Sequence, residues 1–255
     1  MHHTPTGVVI TLFTGLAASI FGSLVGLGGG FLVVPVLRLL FNVPPALAAG
    51  NALLFVFANT LAASITFWRD RAIDVRRAVT IAAAAIPTSI LGAHVVALFT
   101  PRGFDLLYGA FLVALATLVL LRRNVKSEPR TVPPRRRLFL EIVVGIAVGF
   151  VSSLFGVGGG IVIVPILLVY FGLPAHTVAA TSAFIVMLSS PVGIVAHGVL
   201  HHLDPYIAPP LLVGGLIGGS LGARWARGLS TRALSVGFAV LLLLAALALI
   251  LKRGG

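Results

Sequence analysis

The stretch Gly15–Pro35, GLAASIFGSLVGLGGGFLVVP, returns as Gly145–Pro165, GIAVGFVSSLFGVGGGIVIVP. The offset of 130 residues, from Gly15 to Gly145, then holds without a gap. It pairs Pro44 with Pro174, Ala49 with Ala179, Asp74 with Asp204, and Leu91-Gly92-Ala93 with Leu221-Gly222-Ala223. Unrelated apolar segments share leucines and alanines by chance, but not glycine and proline punctuation in one fixed register. The chain must therefore fold as two copies of one unit, and half-length internal repeats are a signature of secondary transporters.

Lipid is the expected solvent for both copies. Only 9% of the residues are charged, against about 25% in soluble domains. Apolar segments run over about 7–25, 31–42, 46–67, 77–99 and 103–121, and again over about 138–155, 161–172, 175–198, 206–226 and 229–251. A crossing helix needs about 20 apolar residues. The third to fifth segments of each half meet or nearly meet that length, and the second segment is too short. Continuous apolarity without alternation favours helices over barrel strands. The N-terminus MHHTPT lacks the basic region of a signal peptide, and the first apolar run recurs inside the repeat, so it is read as part of the fold.

The net charge of +12 is concentrated in short clusters between apolar runs. No aromatic-basic interleaving accompanies them, so they read as cytoplasmic loops and not as a nucleic-acid surface. The loop Arg69–Arg77 and the linker Arg122–Arg137 are both placed in the cytoplasm. The counterpart of the first, Gly198–Tyr206, has no lysine or arginine and is placed outside. The counterpart of the turn near Thr100 carries Arg224, Arg227 and Arg232 and is placed inside, whereas Arg102 and Lys252-Arg253 fall on the opposite side from that rule. Loop charge thus swaps sides between halves, as an inverted repeat requires. The expected fold is an all-α polytopic membrane protein with two inverted-topology repeats, each a glycine-tipped re-entrant helix hairpin plus three transmembrane helices. The first repeat is 1–121, the basic linker 122–137 and the second repeat 138–255.

Gly26-Leu27-Gly28-Gly29-Gly30 and Gly156-Val157-Gly158-Gly159-Gly160 are the expected hairpin tips. A glycine run breaks a helix at membrane depth only where backbone is buried in protein or lines a cavity. The short helices that follow would aim free N–H groups and a positive dipole end at the tip, so two converging starts would hold an anion. One such run alone would read as close helix packing; its duplication favours a site. The expected substrate-binding residues are Ser23, Gly28, Gly29, Gly30, Asn51, Ser153, Gly158, Gly159, Gly160, Thr181 and Ser182. For Asn51, Thr181 and Ser182, contact with substrate and interhelical hydrogen bonding fit equally well. Asn59, aligned with Ser189, is a weaker candidate. Gly29 and Gly159 are expected to be equally sensitive to alanine.

The six acids, Asp70, Asp74, Asp105, Glu128, Glu141 and Asp204, all lie in loops or at segment ends. Cation transporters usually carry an intramembrane carboxylate, so a cation substrate is disfavoured. His94 and His197 near span ends, and His201-His202 in a loop, form no evident metal cluster. Absence of cysteine excludes disulfides and thiolate chemistry. No cofactor is called for and no catalytic arrangement is visible. Arg38 is expected to snorkel toward the outer face, where it would also suit anion entry.

The paired GLGGGFLVVP and GVGGGIVIVP motifs, with the polar stretches after Pro44 and Pro174, resemble the TauE/SafE sulfite exporter family, also called the toluene sulfonate uptake permease family. The resemblance covers essentially the whole chain. It implies a multi-pass permease of the bacterial inner membrane for sulfite, sulfonates or sulfoacetate, and carries the glycine runs, Asn51 and Thr181 over as site positions. Gly50-Asn51-Ala52 departs from the family's Gly-Thr-Ser pattern more than Ala180-Thr181-Ser182 does. A metal-cation permease and an integral-membrane enzyme are the alternatives.

Overall fold

The computed structural model describes residues 4–121, 133–225 and 231–252. Every regular element among them is helical. In chain order these are α1 (Pro5–Val25), α2 (Gly30–Leu39), α3 (Pro45–Arg69), α4 (Val75–Val96), α5 (Pro101–Leu121), α6 (Pro134–Phe155), α7 (Gly160–Pro165), α8 (Ala175–Val199), α9 (Ala208–Trp225) and α10 (Thr231–Leu251). A π-helical segment, Ile166–Tyr170, continues α7. It follows Pro165, whose missing N–H breaks the ordinary ladder at that point.

Local signals set the ends. Pro5 opens α1 behind Thr4, whose hydroxyl accepts from the Gly7 amide at 3.2 Å. Pro45 and Pro134 open α3 and α6 in the same first-turn position. Asp74 caps α4 by accepting from the Arg77 amide at 3.1 Å. Gly26 and Gly156 end α1 and α6 with φ of 75° and 65°, the left-handed geometry that favours glycine at a helix terminus. The Arg122–Arg137 linker lies outside the described residues over 122–132, and its last four residues belong to α6.

Six described helices are long and apolar enough to cross a membrane: α1, α3, α4, α5, α6 and α8. Two of these, α1 and α6, are the arms read from sequence as entering without crossing. With 21 and 22 residues they extend beyond the apolar cores of those segments. The glycine-rich α9 is not among the six. Helices α3 and α8 are the most deeply buried, while Phe13, Leu98, Phe139, Val195, Leu216 and Leu244 stand exposed on the periphery. A continuous apolar exterior of this kind belongs in lipid.

The halves interlock. The most extensive pairings are α4 with α6 and α1 with α9, which are equivalent under the sequence offset. Gly15 lies against Leu211 and Gly214, Gly218 against Leu16 and Ser19, and Gly222 against Ile20 and Ser23, so α1 and α9 run parallel. Gly145 lies against Ile81 and Ala84, Gly149 against Ala85 and Thr88, and Gly92 against Phe150 and Ser153, so α6 and α4 do too. Gly215 and Gly219 abut Phe55 and Asn59, making α3 parallel to α9 as well. By contrast, Leu53 meets Gly193 while Trp68 stacks near Phe184, so α3 and α8 are antiparallel. Gly109 beside Ile250, with Arg102 bonded to the Lys252 carbonyl, makes α5 and α10 antiparallel.

Two expectations about charge change. Arg38 does not snorkel: it is buried, binds both carboxylate oxygens of Asp105 at 2.7 and 2.6 Å, and donates to the Val43 carbonyl at 2.6 Å. Glu141 sits two turns inside α6, buried, with Arg137 at 2.8 Å and Arg77 at 3.7 Å. A carboxylate or guanidinium removed from water is retained only when paired; Arg38–Asp105 joins α2 to α5 and Arg77–Glu141 joins α4 to α6, while Arg137–Glu141 spans one turn within α6.

Candidate functional site

The two glycine runs meet. A methyl group added at Gly30 would fall on the Gly156 carbonyl, and one at Gly160 on the Gly26 carbonyl, each the mirror of the other under the offset. Gly26 likewise abuts Ala179 of α8, and Gly156 abuts Ala49 of α3. Val56, midway along α3, touches Gly28, Gly30 and Gly158, while its counterpart Val186 touches Gly158. Both runs are fully buried from Gly26 to Gly30 and Gly156 to Gly160. The arrangement is thus a closed contact between the two glycine turns beside the middle of α3, each helix start facing carbonyl oxygens of the opposite turn.

Side chains hold these tips in place. Asn59 of α3 donates from Nδ2 to the Gly28 carbonyl at 2.8 Å. Its Oδ1 lies 2.7 Å from the Ser19 hydroxyl and 2.6 Å from the Ser23 hydroxyl. Ser182 donates to the Gly26 carbonyl at 2.8 Å. Its counterpart Ala52 has no hydroxyl and offers only its methyl to the Gly156 turn. Of the residues read from sequence, the eight comprising the glycines, Ser23 and Ser182 gather at the tips. Asn59, the weaker candidate, is the bracket of the first one.

Asn51 and Thr181 point elsewhere. The Asp204 amide donates to Asn51 Oδ1 at 3.2 Å, and the Asp74 amide donates to Thr181 Oγ1 at 3.0 Å. Each therefore fastens the loop of the opposite half, and again the two bonds are equivalent under the offset. Ser153, one turn before the second tip, faces histidine. His197 Nε2 lies 3.0 Å from the Ser153 carbonyl and 3.3 Å from its hydroxyl, and His197 Nδ1 lies 3.1 Å from His202 Nδ1. Nothing in a sequence pattern singles out this pair, because five residues that cross a helix end have no periodic relation. Burial and the neighbouring His94 and His201 hold His202 below the usual histidine range.

The model of the family described as sulfite exporter TauE/SafE matches residues 11–249. A probable membrane transporter protein of Bacillus subtilis, YunE, is 30% identical over 92% of this chain and 94% of its own length. Another of Methanocaldococcus jannaschii, MJ0441, is 31% identical over 74% of this chain and 71% of its own. A third, from Haemophilus influenzae, is 30% identical over 97% and 99%. No solved structure matches. With a family model spanning nearly all of its length and six described helices long and apolar enough to cross a membrane, the chain is a membrane transporter of the TauE/SafE sulfite exporter family.

Proposed function

We propose that the protein is a permease for small sulfur-containing anions of the sulfite, sulfonate or sulfoacetate type, working by alternating access around the point where the two glycine tips meet. The observation that carries this reading is their reciprocal contact midway along α3 and α8. Because α1 and α3 both run parallel to α9, they start on the same face. The chain between them therefore enters along α1 and returns through α2. This favours a re-entrant hairpin, and the antiparallel relation of α3 to α8 and of α5 to α10 favours inverted repeats. Parting the tips from one face and then the other would expose helix starts whose amides suit an anion. The buried carboxylates Asp105 and Glu141 are neutralised by arginine, which leaves them poorly suited to a cation pathway. Loop charge favours a cytoplasmic side for Arg69–Arg77, and the family resemblance favours the inner membrane of a bacterial cell.

Uptake of radiolabelled sulfite, sulfoacetate, taurine and sulfate into proteoliposomes tests this directly. Sulfite or a sulfonate should be taken up, and should raise the thermal midpoint of the purified protein. Stabilisation by nickel or cobalt alone would replace the anion reading with a cation permease.

A further inference from the structure

The His197–His202 pair has a chemistry that the anion site does not use. His197, in the last two turns of α8, is fully buried, and His202 nearly so, in the loop that follows. With the Ser153 carbonyl accepting at 3.0 Å, His197 must carry its proton on Nε2. Its Nδ1 is then an acceptor, and the facing His202 Nδ1 at 3.1 Å must be the donor. The tautomers of both neutral rings are thereby fixed by their partners.

We propose that this pair is a proton-binding site that couples anion transport to a proton, an inference that rests on the permease reading above. A proton from the aqueous loop side adds to Nε2 of His202. The Nδ1 proton of His202 then passes to Nδ1 of His197. One proton is taken up, and the positive charge is shared by the two rings across the Nδ1–Nδ1 contact. His197 sits against Ser153, two residues before α6 ends at Phe155. The carbonyl end of a helix attracts positive charge, and the glycine tip Gly156–Gly160 begins one residue further on. A cation held there favours an anion at the tips, and an anion at the tips favours the proton, so the two bind together.

The titratable groups that act on the pair are His94 from α4 and His201 from the loop, and Asp204 follows His202 by two residues. From α3, Gly50 lies against the His202 carbonyl and His197 Nδ1, and Asn51 binds the loop at Asp204. The device exists once. The positions matching His197 and His202 are Phe67 and Ala72, and Ser23, which matches Ser153, turns to Asn59 instead. A single proton site at one of two matched tips makes the halves chemically unequal.

Two measurements test this. Nitrogen-15 histidine spectra of the purified protein, assigned with His197→Gln and His202→Gln, should show Nε2–H on His197 and Nδ1–H on His202 at neutral pH. On acidification both rings should respond in a single shared step, and in His202→Gln the His197 response should move or vanish. Independent titration of the two rings, or no response of His197, would overturn the proposal. In proteoliposomes, His202→Gln should lower the ratio of gradient-driven sulfoacetate accumulation to sulfoacetate exchange at equal pH, whereas His176→Gln should not. An unchanged ratio in His202→Gln also overturns it. If the unaltered protein moves no sulfur anion, the permease reading fails separately, and the spectra still decide whether the pair binds one shared proton.

Discussion

Matched residues in the two halves do not occupy matched environments. Gly29 has φ of 80°, and a methyl there would strike the Ala18 carbonyl of α1, which is backbone. At Gly159 a methyl would instead meet the Val148 side chain. A backbone neighbour yields less readily than a side chain. Gly29→Ala should therefore lower the thermal midpoint and transport more than Gly159→Ala, not equally as sequence symmetry suggests. Equal losses on measuring both would show that the turn geometry differs from this one. At Arg38–Asp105, removing one partner leaves a buried charge, with a cost of about 3–5 kcal/mol. Arg38→Met should thus destabilise strongly, and adding Asp105→Leu should restore much of the loss in a denaturation cycle. His202 supplies a pH dependence. Its value in the fold lies below the ordinary 6.5, so the unfolded chain binds the proton first as pH falls. Stability from this group is complete above about 6.5, declines as pH drops toward the lowered folded value, and then levels off. His202→Gln should flatten that decline in a pH series of thermal midpoints.

At the scale of the elements, the glycines of α9 and α6 let paired helices approach to backbone contact. Gly214, Gly218 and Gly222 recur every fourth residue on the face of α9 that meets α1, while Gly145 and Gly149 do the same on α6 toward α4. Small residues at this spacing drive helix association in membranes, where no hydrophobic difference separates protein from lipid tails. Gly218→Val would force a branched side chain onto the Leu16 carbonyl and Ser19. The variant should lose thermal stability and yield less folded protein than Gly237→Val, at a position with nothing nearby, when both are assayed by detergent size-exclusion chromatography. Gly145 is for the same reason not a neutral position, since a methyl there meets the Ile81 carbonyl and Ala84.

Over the whole molecule, the first helix of each half is held by the other half: α1 by α9 and α6 by α4. Neither half therefore has its own complete core, and the two should fold as one unit. The orientation of the halves can be read with single cysteines, because the chain has none of its own. Arg76 and Tyr206 are matched by the offset and both exposed. Arg76→Cys and Tyr206→Cys should react unequally with an impermeant maleimide on intact cells, Tyr206→Cys being the labelled one. Equal labelling would remove the inverted-repeat reading.

The 130-residue offset and the long uncharged runs were enough to establish a duplicated, helical, membrane-crossing chain, and the glycine motifs pointed to the family. These are properties of spacing and composition, which any arrangement of the segments in lipid must respect. Gly26 and Gly156 as helix ends were legible too, because terminating a helix is a local act of backbone geometry. Which helix packs on which was not, since α1 with α9 and α6 with α4 depend on contacts across halves. Asn51 and Thr181 illustrate the limit: their alignment was visible, but only the docking of the opposite loop turned them from the tips to the Asp204 and Asp74 amides. Arg38 with Asp105, and His197 with His202 and Ser153, likewise acquire meaning only from burial, because a charge or a ring nitrogen withdrawn from water must find a partner wherever the fold brings one within reach.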